Sequence, residues 1–156
     1  MAYGFYEKGK LTGETSTGVV KVTIANSATL TLGGAVAVSG GYATAGTAGA
    51  KLLGICVGIV SKDGINLDNV ESDKIDGTYT PGGIGTGSYV AASDNVTDKQ
   101  VKVLVAIDKE ALWLNKTQST LTAALKFKQF DLTSATQIAT YTGQVGGQFV
   151  LIDIDP

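Results

Sequence analysis

Residues 30–60 read LTLGGAVAVSGGYATAGTAGAKLLGICVGIV, and two readings compete for them. Glycine-rich loops cradle phosphates at the start of a helix. Glycine pairs between short runs of valine, isoleucine and threonine instead punctuate hairpins, because glycine reaches the positive φ that two-residue turns need. A dinucleotide loop requires Gly-x-Gly-x-x-Gly spacing opening a helix. The segment GGYATAG lacks that spacing, and no helical period follows it. Apolar residues instead recur at every second position in ATLTL, in AVAV and in KLLGICVGIV, with Gly33-Gly34 and Gly40-Gly41 between them. In the last run Leu53, Ile55, Val57 and Ile59 share one face, and Gly54, Cys56 and Gly58 share the other, where a close neighbour is expected. Strands and hairpins are the expectation, not a phosphate cradle.

The same period extends outward. GVVKVTI (residues 18–24) sets Val20, Val22 and Ile24 against Val19, Lys21 and Thr23, a half-buried strand. VKVLVAI (101–107) places Val101, Val103, Val105 and Ile107 on one face, and SYVAA, EALWL, KFKQFDL, TQIATYT and GQFVLIDI are further strand candidates. Residues 117–126 stay ambiguous: Leu121 and Leu125 have helical spacing, whereas the threonines suit a strand. Residues 61–87 are acidic and then glycine-rich, a long loop with room for a short strand at 77–80. Short strands with turn signals between them predict an all-β chain, a small β-barrel or sandwich. The expected organisation is an extended N-terminal arm over residues 1–16 and a single β domain over 17–156. A chain of 156 residues, 44% hydrophobic, can bury the core this requires.

The missing residue types narrow the chemistry. There is no histidine, and all twelve basic residues are lysine. The usual general base and metal ligand are therefore absent, as is the bidentate guanidinium that reads phosphate or guanine. A formal charge of −2 gives no electrostatic footprint for nucleic acid. No apolar run reaches the roughly 18 residues of a membrane span, and MAYGFYEKGK has no secretory h-region. A soluble, cytoplasmic product is expected.

Each remaining candidate site has an ordinary reading. GFYEKGKL (4–11) has the spacing of a P-loop in Gly4, Gly9 and Lys10, but Leu11 stands where Ser or Thr would bind magnesium. Asp63, Asp68, Glu71, Asp73 and Asp76 crowd one loop without EF-hand spacing. Cys56, the single cysteine, reads as a small buried hydrophobe with no histidine to activate it. The sequons at Asn95 and Asn115 carry no meaning without secretion. A carbohydrate platform has only Trp113, Tyr79 and Tyr89 to draw on. Tyr3, Phe5 and Tyr6 form the most suggestive cluster: aromatics on an arm either anchor in a partner's pocket or pack on their own domain, and the residues leave both open.

In its order of segments the chain resembles the small capsid decoration (head-stabilisation, or cement) proteins of tailed bacteriophages. The likeness lies in residues 20–60, with the strand Gly34-Ala-Val-Ala-Val, the turn Gly41-Tyr-Ala-Thr-Ala and the strand Gly54-Ile-Cys-Val-Gly58. It continues in VKVLVAIDKEALWLN (101–115) and in the closing GGQFVLIDIDP. The resemblance implies a barrel or β-tulip-like domain, often a homotrimer, bound to the major capsid protein outside an HK97-type shell. It implies no catalysis and no cofactor. It places the protein on the outer capsid surface of a virion assembled in the host cytoplasm, with no nucleic-acid or membrane partner. Two other classes stay open: a tail, fibre or cell-surface β module, and a carbohydrate-binding module.

Overall fold

The computed structural model describes residues 4–10, 18–107, 111–115, 122–125, 127–134, 136–138 and 148–150. Among these residues fourteen strands run in chain order: β1 (Tyr6–Lys10), β2 (Val19–Thr23), β3 (Thr29–Thr31), β4 (Ala35–Ser39), β5 (Tyr42–Ala45), β6 (Leu52–Val60), β7 (Thr78–Thr80), β8 (Ser88–Val90), β9 (Lys102–Ala106), β10 (Ala111–Leu114), β11 (Gln129–Phe130), β12 (Leu132–Ser134), β13 (Gln137–Ile138) and β14 (Phe149–Val150). The chain is all-β, as its period-2 patterning predicts. Two sheets enclose the main core. One has five antiparallel strands in the order β2-β9-β6-β4-β5, and the other has three in the order β3-β8-β7. The large sheet rolls until its edges touch at a single parallel bridge, Ile24 to Ala43, where Ala25 N–H donates to Ala43 O at 2.9 Å. One bridge is not a ladder, so the barrel is not closed.

Valine alternation explains the pairing of β2 with β9. Val20 lies opposite Val105 and Val22 opposite Val103, so both strands turn apolar side chains to the same interior. Ile24, Leu30, Val36, Cys56, Ile59, Leu67, Tyr89, Val101, Val103 and Val105 make up most of that core. Val101, Val103 and Val105 are buried as their spacing predicts, whereas Ile107 lies past the end of β9 and is exposed.

The glycine pairs do two different jobs. Gly40 and Gly41, at φ of 58° and 87°, join β4 to β5 with Ser39 opposite Tyr42, the two-residue hairpin expected of both being left-handed. Gly33-Gly34 is not a hairpin, since β3 and β4 belong to different sheets. It is a corner held from several directions. Gly33 N–H donates to Cys56 O at 2.8 Å, its carbonyl accepts from Phe5 N–H at 2.7 Å, and a Cβ there would lie 2.3 Å from Ile84 Cγ2.

β6 departs from strict alternation. Opposite β9, Cys56 pairs with Val105 and Gly58 with Leu104, leaving Val57 as an extra, exposed residue. This bulge corrects the face assignment made from spacing alone. Cys56 and Ile59 enter the main core together, while Ile55 faces a second one. A further irregularity, at Leu53, lies on the side of β6 that faces β4. Gly54 does meet a close neighbour, because a Cβ there would lie 1.9 Å from Ala106 O.

The second core covers the outer face of β4 and β6. Ala35 and Ile55, opposite one another in register, are roofed by Phe5 and Leu132, with Leu52, Trp113 and Phe149 packed around them. In residues 117–126 the described residues form a single 3-10 turn at Ala123–Leu125; Leu121 lies outside the described residues. Of the closing strand, only Phe149 and Val150 are among the described strand residues.

Candidate functional site

The aromatic arm is tied into the domain. Residues 6–10 form β1, extended as expected, and pair antiparallel with β10, Tyr6 opposite Leu114 and Glu7 opposite Trp113. Phe5 is 1% exposed and fills the second core. Tyr6 is half-buried, and its hydroxyl donates to Ile84 O at 3.3 Å. Tyr3 lies outside the described residues. The structure thus uses Phe5 in the packing alternative of the two left open by the sequence. The same pairing makes the P-loop-like stretch a strand, with Leu11 outside the described residues.

Cys56 sits between Ile55 and the Val57 bulge, 1% exposed, with its Sγ 3.8 Å from Gly58 O. Burial pushes the thiol up to about 12, which disfavours the thiolate that nucleophilic chemistry needs. Tyr89 is fully buried, Trp113 packs against the second core and Tyr79 stands on the three-stranded sheet. The three offer no common flat face for a sugar. Asn95 is a structural pin: its side-chain amide donates to Ile24 O at 2.6 Å and Val101 O at 3.1 Å, and its Oδ1 accepts from Val101 N–H at 2.9 Å. It closes a short π-type turn, Asn95–Lys99, which the sequon did not signal.

The loop of residues 61–87 holds an open concave surface. It is anchored at intervals. Leu67 is 2% exposed, Val70, Ile75 and Tyr79 pack against the main core, and Asn66 caps the turn Leu67–Asn69 by accepting from Asp68 N–H at 3.0 Å. The expected short strand is β7, Thr78–Thr80. Between it and the turns of residues 67–75 runs an open groove of about 340 Å³. Leu67, Val70, Ile75 and Pro81 give it apolar walls, and Asp68 and Tyr79 contribute polar atoms.

Hydrogen bonds fix this region. Tyr79 donates its hydroxyl to Asp68 Oδ1, and Tyr89 donates to Asp76 O. Burial, followed by the neighbouring carboxylates Asp68 and Asp76 respectively, pushes both phenols up to about 12. The acids do not converge on one point. Glu71 pairs with Lys74, Asp76 lies 3.5 Å from Lys99 Nζ, and Asp98 lies 3.0 Å from it. Among the described residues no group of three potential ligands could hold a metal ion. The sequence marks this site only by its interruptions, with Leu67, Val70 and Ile75 spaced through an acidic run and Gly77 and Pro81 bracketing Thr-Tyr-Thr.

No protein-family model, curated protein or solved structure matches the chain.

Proposed function

We propose that the protein is a virion structural protein that decorates and stabilises the outer surface of an icosahedral phage capsid by bridging major capsid subunits. One observation carries the reading. Of the residues behind the resemblance, 20–60 and 101–115, the strands β2, β4, β5, β6 and β9 form the five-stranded sheet. Most of the segments that resemble decoration proteins in order thus share one sheet, while β3 and β10 belong to others.

The surface suits a binding role. Val19 is 49% exposed and Val57 42% exposed on strands of that sheet. On β2 and β9 the only charged residues are Lys21 and Lys102. An apolar, lysine-flanked face of this kind can lie against a shell, and a symmetric homotrimer would repeat each weak contact, gaining avidity without tight single sites.

Immunogold electron microscopy of the source material, with an antibody to this chain, tests the proposal. Label over phage heads is the expected result. Label confined to tails, fibres or cell envelopes would replace it with the broader assembly-module reading, and label on no assembly would remove both.

A further inference from the structure

We propose that the groove beside β7 docks an extended, lysine- or arginine-bearing peptide segment of another protein, which adds a strand to the β7 edge at Tyr79. This site is separate from the sheet face invoked above, and it stands whether or not the capsid reading does.

The argument begins with the direction of backbone groups. In an antiparallel ladder the N–H and C=O of successive residues point alternately to one neighbour and then the other. Leu32 N–H donates to Gly87 O at 2.8 Å, and Ala91 N–H donates to Ala28 O at 2.9 Å. Leu30 lies opposite Tyr89, midway between these two pairs. Tyr89 therefore turns its backbone groups toward β3, and Ser88 and Val90 turn theirs toward β7. Their partners there are Thr80 and Thr78. By the same alternation Tyr79 directs its N–H and C=O away from β8, to the open edge. Among the described residues β7 has no other strand partner. Pro81, two positions on, has no N–H to donate and ends the ladder. The edge thus offers one donor–acceptor pair, enough to fix the register of a short segment but not to template an open-ended sheet.

The groove adds the second element. A strand laid along β7 would meet the apolar walls of Leu67, Val70, Ile75 and Pro81, and main-chain pairing beside a side-chain pocket is the way exposed sheet edges bind extended peptides. Charge supplies the third. Residues 61–80 carry five acids, Asp63, Asp68, Glu71, Asp73 and Asp76, and two lysines, Lys62 and Lys74. Lys74 is engaged by Glu71, and Lys99 is shared by Asp76 and Asp98. Asp68, on the groove wall, and Asp73, between the lining residues Ser72 and Ile75, form no ion pair with a described lysine. A cationic segment complements this rim. A second copy docking β7 to β7 would bring two acidic rims together, which like-charge repulsion opposes.

The test uses the full-length protein, labelled with ¹⁵N, and a capped hexapeptide of alternating lysine and valine. The expected result is saturable binding, a shift of the Tyr79 amide and slowed exchange of its proton. Binding should weaken at least fivefold for the peptide N-methylated at alternate residues, for the glutamate–valine analogue, and for the Asp68→Asn, Asp73→Asn double variant. Both substitutions are at exposed positions, and an unchanged melting temperature verifies the fold of the variant. A Tyr79 amide unmoved at millimolar peptide would overturn the proposal. Equal binding of the glutamate analogue would do the same, because it would reduce the site to a non-specific apolar surface.

Discussion

Phe5 stacks on Phe149, with ring centroids 4.8 Å apart and planes inclined by 21°. Two residues far apart in sequence thus close over Ala35 and Ile55, on the outer face of β4 and β6. The aromatic at residue 5 is a core residue of a sheet it does not belong to. Replacing it with alanine removes a buried ring and leaves a cavity, so Phe5→Ala should cost about 3 kcal/mol or more. Tyr6→Ala, at a half-buried position, should cost about 1 kcal/mol. Urea unfolding of the two variants measures the difference, and equal midpoints would contradict the packing described.

Asn95 supports three backbone groups, Ile24 O, Val101 O and Val101 N–H. Val101 O also accepts from Ile24 N–H at 3.1 Å, so Asn95→Ala strands Ile24 O and Val101 N–H in the interior, where each orphaned group costs about 1–3 kcal/mol. A loss of about 3 kcal/mol is expected from thermal or urea denaturation. Asn95→Asp should be no milder, because it keeps the shape but replaces the donating amide with a carboxylate aimed at two carbonyl oxygens.

Two glycines separate crowding from backbone strain. At Gly54 a Cβ would meet Ala106 O at 1.9 Å, whereas at Gly40 nothing lies within 4 Å but φ is +58°. Gly40→Ala should cost about 1–2 kcal/mol from left-handed strain alone. Gly54→Ala should cost more, since β6 and β9 must part at the centre of the sheet. Parallel melting curves decide the order, and a milder Gly54 variant would show that the β6–β9 contact can relax.

Alkaline pH should destabilise the fold. The Tyr79 and Tyr89 phenols are pushed up to about 12 in the native protein, against about 10 in an unfolded chain. Between those values the unfolded state releases protons that the native state retains, so stability falls as pH rises; below about 10 it is fully present. Cys56, raised from 9.0 to about 12, starts the decline nearer pH 9. Tyr89, fully buried, should outweigh the half-buried Tyr79. Melting temperatures from pH 8 to 12 should drop across this window, and Tyr89→Phe should flatten the drop.

The strands were legible wherever valine and isoleucine alternate against polar residues, as in β2 and β9, because one face of each is buried and the other is not. Gly40-Gly41 was legible because nothing but a tight turn requires two adjacent left-handed residues there. Gly33-Gly34 looks the same in sequence but turns between sheets, and only the positions of Phe5, Cys56 and Ile84 distinguish the two. The burial of Phe5 was equally hidden, since its partners Leu132 and Phe149 are remote in the chain. The groove beside β7 depends on which way Tyr79 turns its backbone, a matter of strand pairing rather than composition.

The bulge at Val57 has a consequence for the length of β6. With the residue present, the strand delivers Ile55 to one apolar compartment and both Cys56 and Ile59 to the other. Were Val57 instead paired in register with β9, every residue downstream would turn to the opposite side, taking Ile59 out of the core it fills and carrying the start of the acidic loop with it. One unpaired residue thus acts as a half-step in the strand's phase. Deleting Val57 would leave Cys56 opposite Val105, Gly58 opposite Leu104 and Ile59 opposite Val103, so the following segment would serve the same side of the sheet from a strand without its bulge.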